Sequence, residues 1–166
     1  KSIGNVVDPN EIIDNYGLDD FRYYFSRHVA TQDDGDFTWE KFENAYNNEL
    51  GNDLGNLASR VANMVKRYQS GVVGEIPSDE HDRHTYNEYM KSLEFNKAID
   101  EVWGLVRAHN QYIEGVKPWE IAKKAKENKD EENHLVEVLA HSVSGLLQIS
   151  KMLEPFMPDT AEKLQT

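Results

Sequence analysis

Three polar residues and one aromatic pair carry the clearest chemistry in this chain. Asn52, Asn56 and Arg60 are spaced four residues apart, and Pro118 and Trp119 follow later. An amide both donates and accepts hydrogen bonds, and a guanidinium presents a planar fork of donors. An indole offers a flat surface on which a nucleobase can stack. These groups together have the chemistry needed to recognise unpaired RNA bases.

A long helix is predicted to hold Asn52, Asn56 and Arg60, which we call the helix triad. Apolar residues recur there at three- and four-residue steps: Trp39, Phe42, Tyr46, Leu50, Leu54, Leu57, Val61, Met64 and Tyr68. The pattern predicts a helix over 38–69, capped by Thr38, that is either unbroken or bent near Gly51 and Gly55. At about 100° per residue, the helix triad falls in a sector away from the apolar side.

Each of these features also has an ordinary interpretation. Asparagine and arginine on an exposed helix face are typical of any solvated surface. The pattern around Trp119 suits a core position as well as a stacking surface, whereas Trp39 and Trp103 lie in apolar patterns typical of a core. Residue types alone therefore leave base recognition as one hypothesis among others.

The rest of the chain also predicts helices. Their expected ranges are 11–17, 19–29, 79–91, 95–115, 118–126 and 135–153, with a last turn or two from 159. The acidic stretch 127–132 is expected to be an exposed connection. No alternating pattern bounded by hairpin turns occurs in the sequence. The predicted fold class is therefore all-α, a helical bundle with mostly short connections.

Composition limits the possible functions. The chain has 166 residues and no cysteine, which fits one domain without disulfides or thiolate metal sites. It lacks an apolar run long enough to span a membrane, so we expect a cytoplasmic protein. Its 30 acidic and 18 basic residues give a net charge of −12, which disfavours general nucleic-acid binding. RNA recognition would have to use a few base contacts, and another part of a larger protein would have to supply much of the affinity.

Two segments resemble the anticodon-binding domain of the methionyl-tRNA synthetase family. They are residues 52–60 (NDLGNLASR) and 117–120 (KPWE), and 17–24 and 110–113 are similar as well. The resemblance covers essentially the whole chain and favours methionine over leucine, isoleucine, valine or cysteine. It implies that Asn52, Asn56 and Arg60 hydrogen-bond to anticodon bases. It also implies that Trp119 stacks on the first base, a cytosine, with Pro118 shaping the platform.

The first residues resemble the end of the Lys-Met-Ser-Lys-Ser signature of class I synthetases. By that resemblance, Lys1 matches the loop lysine that steadies ATP phosphates during adenylate formation. It implies a parent methionine–tRNA ligase that uses ATP with Mg²⁺ to attach methionine to its tRNA for translation. The rest of the nucleotide-binding fold is missing from the sequence, so we expect this piece to be inactive alone and to need no cofactor.

The resemblance also implies an organisation and a set of partners. Residues 1–30 would be the end of the signature loop and the linking helices, and 31–166 the anticodon-binding bundle. The expected partners are the anticodon loop of methionine tRNA and the catalytic domain of the same protein. Neither a membrane nor DNA is expected as a partner.

Other constellations predict different functions. His81 and His84, with Asp82 between them, could bind a metal, although the spacing does not identify a third ligand that would complete the site. The aspartates at 33, 34 and 36 faintly resemble a calcium loop but lack its final glutamate. Glu131 with His134 supplies one Glu-x-x-His pair, where a carboxylate-bridged metalloenzyme bundle needs two. A non-catalytic helical module that binds proteins through acidic faces remains the main alternative.

Overall fold

The computed structural model describes residues 8–29, 37–77 and 83–165. The elements in those ranges are α1 (Pro9–Tyr16), α2 (Leu18–His28), α3 (Trp39–Asn44), a π-helical segment (Ala45–Gly55), α4 (Asn56–Gln69), α5 (His84–Lys91), α6 (Phe95–Val116), α7 (Pro118–Lys124), α8 (Lys129–Leu153) and α9 (Pro158–Gln165). No β-strand occurs within them, and the all-α prediction is confirmed.

Several helices begin at side-chain caps that satisfy free backbone donors. Thr38 Oγ1 accepts a hydrogen bond from the Lys41 N–H at 3.2 Å, which confirms the predicted cap of the long helix. Asn128 Oδ1 accepts from the Asp130 N–H at 2.9 Å in the same way and starts α8. The acidic stretch after 128 therefore belongs mostly to a helix, and its prediction as a connection was wrong. Acidic side chains in a first turn suit the partial positive charge of a helix N-terminus.

The C-terminal end of α6 also differs from the prediction. The predicted range, 95–115, ends at Gly115, but the helix continues through Val116 and ends at Lys117, whose φ is +52°. Pro118 explains the position of the break. Its ring would clash with a carbonyl of the preceding turn, and it disfavours helical backbone in the residue before it. The proline therefore forces a sharp turn and begins α7.

The main core lies where α6 and α8 pack against each other in opposite directions. Phe95 contacts Phe156 near one end of the pair, and His109 contacts His141 near the other. Trp103 is buried at the centre, which confirms its prediction as a core residue. The fully buried aliphatic residues around it include Ile99, Val102, Val106, Ile113, Leu139, Ile149 and Leu153.

A second apolar cluster joins the first three helices. Its buried members are Ile12, Tyr24, Phe42 and Ala45, and Trp39 packs against them while remaining partly exposed. Beyond this cluster, α2 is attached to α9, because the Asp19 carboxylate accepts the Thr160 N–H at 2.7 Å. Through this bond, α2 packs against the last described helix.

The predicted long helix is continuous over 39–69, but its middle third is π-helical. The N–H of Asn56 donates to the carbonyl of Gly51, five residues earlier. A π-helix fits more residues into each turn than an α-helix, so the assumption of 100° per residue fails here. Gly55 permits the wide turn, since a Cβ atom there would lie 3.1 Å from the Leu50 carbonyl oxygen.

Glu49, within the π-helical segment, is the centre of a polar network with α2. Its Oε2 atom accepts a hydrogen bond from the Tyr23 hydroxyl and lies 3.0 Å from His28 Nε2 and 3.2 Å from Arg27 Nε. Arg27 also pairs with Asp100 of α6 at 3.1 Å. The network therefore attaches the π-helical segment to both α2 and α6.

The network shifts the pKa of the Glu49 carboxyl group. Burial alone would raise the pKa of its carboxyl group, but hydrogen bonds from His28 and Tyr23 and the charge of Arg27 outweigh burial. The pKa of Glu49 is consequently below its ordinary value. A depressed carboxyl pKa stabilises the fold above the unfolded pKa, and that contribution disappears as the pH falls through the folded pKa.

Replacing Glu49 by glutamine tests this network. We expect Glu49→Gln to lower the free energy of unfolding by about 1–3 kcal/mol at pH 7, because the variant removes a charged acceptor of several hydrogen bonds. The deficit should shrink as the pH falls from about 4, the ordinary pKa of a glutamate, through the lower pKa of the folded Glu49, because protonation then removes the charged acceptor from the parent as well. Urea unfolding across this pH range measures it. Glu101→Gln, at an exposed site on α6, is the control, and equal effects of the two variants would contradict the account.

Candidate nucleic-acid interface

Arg60 of α4 lies between two other elements. One guanidinium nitrogen is 2.8 Å from a carboxylate oxygen of Glu114 on α6, and the guanidinium carbon lies 5.8 Å from the ring centre of Trp119 on α7. The second distance is within the range of a cation–π contact. Only 23% of the Arg60 side chain is exposed. The structure thus brings together an arginine and a tryptophan that the sequence separates widely.

Trp119 is held in place by the turn before it. The left-handed backbone of Lys117 ends α6, and buried Pro118 opens α7. Ile121 is also buried and fixes α7 against the core. The Trp119 indole packs against the core cluster while staying partly exposed. The indole therefore packs on the bundle but stays accessible, so the ring of a ligand could contact it.

Asn52 and Asn56 are exposed on the same long helix as Arg60. Asn52 lies within the π-helical segment, where its amide nitrogen donates to Asn48 Oδ1 at 3.2 Å. The Asn48 amide in turn donates to Asn44. Asn56 is at the junction where π-helix changes to α-helix. The two asparagines are thus held on a defined backbone, but their mutual orientation follows π rather than α geometry.

A residue of α6 fixes that backbone from the side. The amide nitrogen of Asn110 donates to the Asp53 carbonyl at 3.2 Å, and Asn110 Oδ1 is buried without a partner among the described residues. The Arg60–Glu114 pair lies further along both helices, so α6 and the long helix run in the same direction. The sequence pattern indicated no role for Asn110 or Glu114, because a contact between two helices does not affect the residue spacing within either helix.

The charge near Trp119 differs from that of the whole chain. Residues 117–126 contain four lysines, at 117, 123, 124 and 126, and one acid, Glu120. All four lysines are at least partly exposed. The net charge of the chain is −12, yet this segment is locally positive. A polyanion could therefore approach the protein at α7 despite repulsion from the rest of the surface.

The structure leaves most of the metal and phosphate sites that the sequence suggested untested. Lys1, the 33–36 aspartates, His81 and Asp82 lie outside the described residues. Within the described ranges, no group of three or more His, Cys, Asp and Glu side chains is placed to hold a metal ion. Glu131 and His134 lie in the first turns of α8, where His134 is exposed. Separately, none of the described helices combines the length and apolarity that crossing a bilayer requires.

Comparison with known families matches both halves of the chain. Residues 1–62 match the family model described as "tRNA synthetases class I (M)". Residues 82–166 match the model described as "Anticodon-binding domain of tRNA ligase".

Individual relatives agree with these family matches. The methionine–tRNA ligase of Caldanaerobacter subterraneus subsp. tengcongensis is 39% identical over 99% of this chain, and that of Bacillus subtilis is 37% identical over 99%. The crystal structure of Mycobacterium tuberculosis methionyl-tRNA synthetase bound by methionyl-adenylate superposes with a TM-score of 0.88 and 25% identity over 99% of the chain.

The matched share of these proteins is much smaller. The chain spans 27% and 26% of the two ligases and 34% of the mycobacterial structure. The family resemblance seen in the sequence is confirmed by all these matches, and the helical architecture agrees with it. The chain belongs to the methionyl-tRNA synthetase family and corresponds to the part of those proteins that carries the anticodon-binding domain.

Proposed function

We propose that this chain recognises the anticodon of methionine tRNA as part of a methionine–tRNA ligase. The observation that carries the proposal is the meeting of Arg60 and Trp119, at 5.8 Å, beside two exposed asparagines on the same helix. The family match supports the choice of tRNA as the ligand. The mechanism is recognition of bases rather than the making or breaking of bonds.

In this proposal, Trp119 supplies the stacking surface. A base that stacks on a protein indole gains about 1–3 kcal/mol, and the gain does not depend on its hydrogen-bonding edge. Specificity must therefore come from neighbouring polar groups. Arg60 is the nearest candidate, because its guanidinium already lies over the ring. Pro118 contributes indirectly, since its burial fixes the start of α7 and thereby the indole.

Arg60 has a carboxylate partner in the RNA-free protein, so RNA must compete for it. Glu114 is 63% exposed, and exposed ion pairs contribute only about 0–1 kcal/mol. An anionic or carbonyl oxygen of RNA could replace Glu114 at small cost. Until then, the pair keeps the guanidinium near the indole, which reduces the side-chain entropy that binding would otherwise remove.

Asn52 and Asn56 would hydrogen-bond to the edges of the remaining bases. An asparagine amide can donate and accept at once, which matches the mixed edges of nucleobases. The contact between Asn110 and the Asp53 carbonyl supports the backbone on which both residues stand. The amides therefore present their hydrogen-bonding groups from a supported helix rather than a loop.

We further propose how the chain serves a larger enzyme. Residues 1–30 would link the bundle, residues 31–166, to a catalytic domain of the same protein. There Lys1 would steady the phosphates of ATP, with Mg²⁺ assisting. Binding energy gained at the anticodon would position the acceptor end of the tRNA for aminoacylation. The packing of α2 on Glu49 and on α9 supports a stiff connection between the two parts.

Truncation of Trp119 tests the stacking surface. We expect Trp119→Ala to weaken binding of a stem-loop carrying the methionine anticodon about 5- to 150-fold, and Trp119→Phe to retain most of it. Isothermal titration calorimetry measures both. Trp39→Ala is the matched control, because Trp39 is also partly exposed but belongs to the other cluster. Equal binding by Trp119→Ala and the parent would contradict the stacking role, and equal binding of all stem-loops would favour a protein-interaction module.

Truncation of an amide tests base recognition separately. We expect Asn56→Ala to reduce the preference for the methionine anticodon over single-base variants by about 5- to 150-fold. One specific hydrogen-bonded contact between a side chain and a base provides discrimination of this size. Asn63→Ala, at another exposed position of α4, should leave the preference within about twofold. Competition binding with mixed stem-loops reports the ratio directly. If the two variants behave alike, Asn56 does not contact a base.

The lysines of α7 are expected to contribute affinity without selectivity. The slope of log K against log salt is negative, and each phosphate that a lysine neutralises on single-stranded RNA adds about 0.7 to its magnitude. Removing Lys123 and Lys124 together should therefore reduce the magnitude of the slope by about 1.4. The preference among anticodons should not change. Replacing Lys91 and Lys151, which are exposed on α5 and α8, serves as the control. An unchanged slope in the α7 variant would mean that Lys123 and Lys124 do not contact RNA phosphates.

A further inference from the structure

A pocket separate from the proposed RNA contacts lies between the long helix, α2 and α9. Its volume is about 260 Å³. The lining residues share positions on the flank of the π-helical segment and on the last helix: Asp20, Tyr46, Asn47, Leu50, Gly51, Leu54, Gly55, Ala58, Met157, Thr160 and Leu164. None of them belongs to the helix triad or to α7. The pocket is slightly smaller than those that hold drug-sized molecules, so it suits a fragment-sized ligand.

The walls are mostly apolar. Leucine and methionine side chains from the long helix and the residues around α9 form them, and Gly51 and Gly55 add backbone without side chains. The lack of side chains at these glycines leaves space along the π-helical segment. A Cβ atom at Gly51 would meet only the Tyr46 carbonyl, at 3.6 Å, within 4 Å. An apolar ligand body would thus fit between the two helices.

One carboxylate stands among these apolar groups. Of the described residues that line the pocket, Asp20 alone carries an acidic carboxyl group, and none is basic. Burial and, after it, the neighbouring charge of Asp19 raise the pKa of Asp20 to about 6, while Lys163 acts in the opposite direction. The other titratable lining group is the Tyr46 phenol. A bound cation would relieve the unfavourable surroundings of the ionised Asp20 carboxylate.

We propose that this pocket binds a small organic cation, an ammonium group carried on a short apolar body. The ammonium would lie against Asp20, with the Thr160 and Asn47 side chains as further polar neighbours, and the apolar body would contact Leu54 and Leu164. A carboxylate ligand is disfavoured by repulsion from Asp20. A neutral alcohol would gain the apolar contacts alone. The proposal does not depend on RNA recognition.

n-Hexylamine is the probe for this site, with hexanoate and 1-hexanol as matched compounds. In ¹⁵N-resolved NMR titrations at pH 7, hexylamine should bind saturably with Kd on the order of 1 mM, as expected for a fragment of this size. The largest shifts should fall on the amides of Gly51, Gly55 and Thr160. Hexanol should bind about tenfold more weakly, and hexanoate should not bind measurably.

Two pairs of variants separate the pocket from general attraction to an acidic surface. Ala58→Met fills the pocket and should abolish saturable binding, whereas Ala62→Met, exposed on the same helix, should not. Asp20→Asn should weaken binding about tenfold, because the variant removes a charge-assisted hydrogen bond, and Asp14→Asn, exposed on α1, should have little effect. Urea unfolding of each variant checks that it is folded.

The proposal also predicts a pH dependence and a distinction from the RNA site. Hexylamine binding should weaken as the pH falls through about 6, because Asp20 then becomes protonated. Trp119→Ala should bind hexylamine like the parent chain, whatever its effect on RNA. Shifts spread evenly over the acidic surface, or unchanged in folded Ala58→Met and Asp20→Asn, would overturn the proposal.

Discussion

The wide turns of the π-helical segment are the constraint on which the candidate interface depends. They begin after α3 and end at Gly55, immediately before Asn56, so they set the directions in which the members of the helix triad project. A π-helix has poorer hydrogen bonding than an α-helix and usually survives only as a short bulge. Here Glu49, near the middle of the segment, binds α2, and Asn110 of α6 binds the Asp53 carbonyl near its C-terminal end. Contacts with neighbouring helices thus stabilise an otherwise unfavourable geometry.

Under the proposed function, this arrangement would allow a strongly acidic protein to recognise RNA. The charges that dominate the surface would repel a phosphate backbone, but four lysines lie close to Trp119 in the sequence. In the proposed binding mode, Arg60 and the Trp119 stacking surface meet near the start of α7, and the lysines of 117–126 add local positive charge. The non-specific electrostatic affinity of such an acidic protein for RNA is small. The base contacts would therefore account for a larger share of the difference between cognate and non-cognate RNA. The same acidity would attract small cations, for which the Asp20 pocket offers a defined place.

Apolar residues at three- and four-residue steps predicted most helices, because this spacing reflects burial against a bundle. The spacing did not predict the features that depend on local hydrogen bonding. Tyr46, Leu50 and Leu54 of the π-helical segment still recur at four-residue steps, so the pattern could not distinguish π-helical from α-helical turns. The charges at the start of α8 are typical of an exposed connection, so the sequence did not indicate the cap at Asn128. The end of α6 depended on Pro118 rather than on the glycine before it.

The candidate interface was predictable in part. Residue types and the family resemblance identified Arg60 and Trp119, and the structure places them in contact. Their individual roles with RNA remain predictions. Glu114, Asn110 and Glu49 were not found, because each acts through a partner on another helix. The Asp20 pocket was equally hidden, since its lining comes from three separate parts of the chain.

The most direct test of the central claim is the indole N–H signal of Trp119 in an NMR titration with an anticodon stem-loop. The chain has three tryptophans, so three such signals are expected: Trp39, Trp103 and Trp119. We predict that the methionine anticodon shifts the Trp119 signal strongly and leaves the other two nearly unchanged, and that replacing the first cytosine by uracil reduces the shift. RNA binding that leaves the Trp119 signal in place would contradict the account.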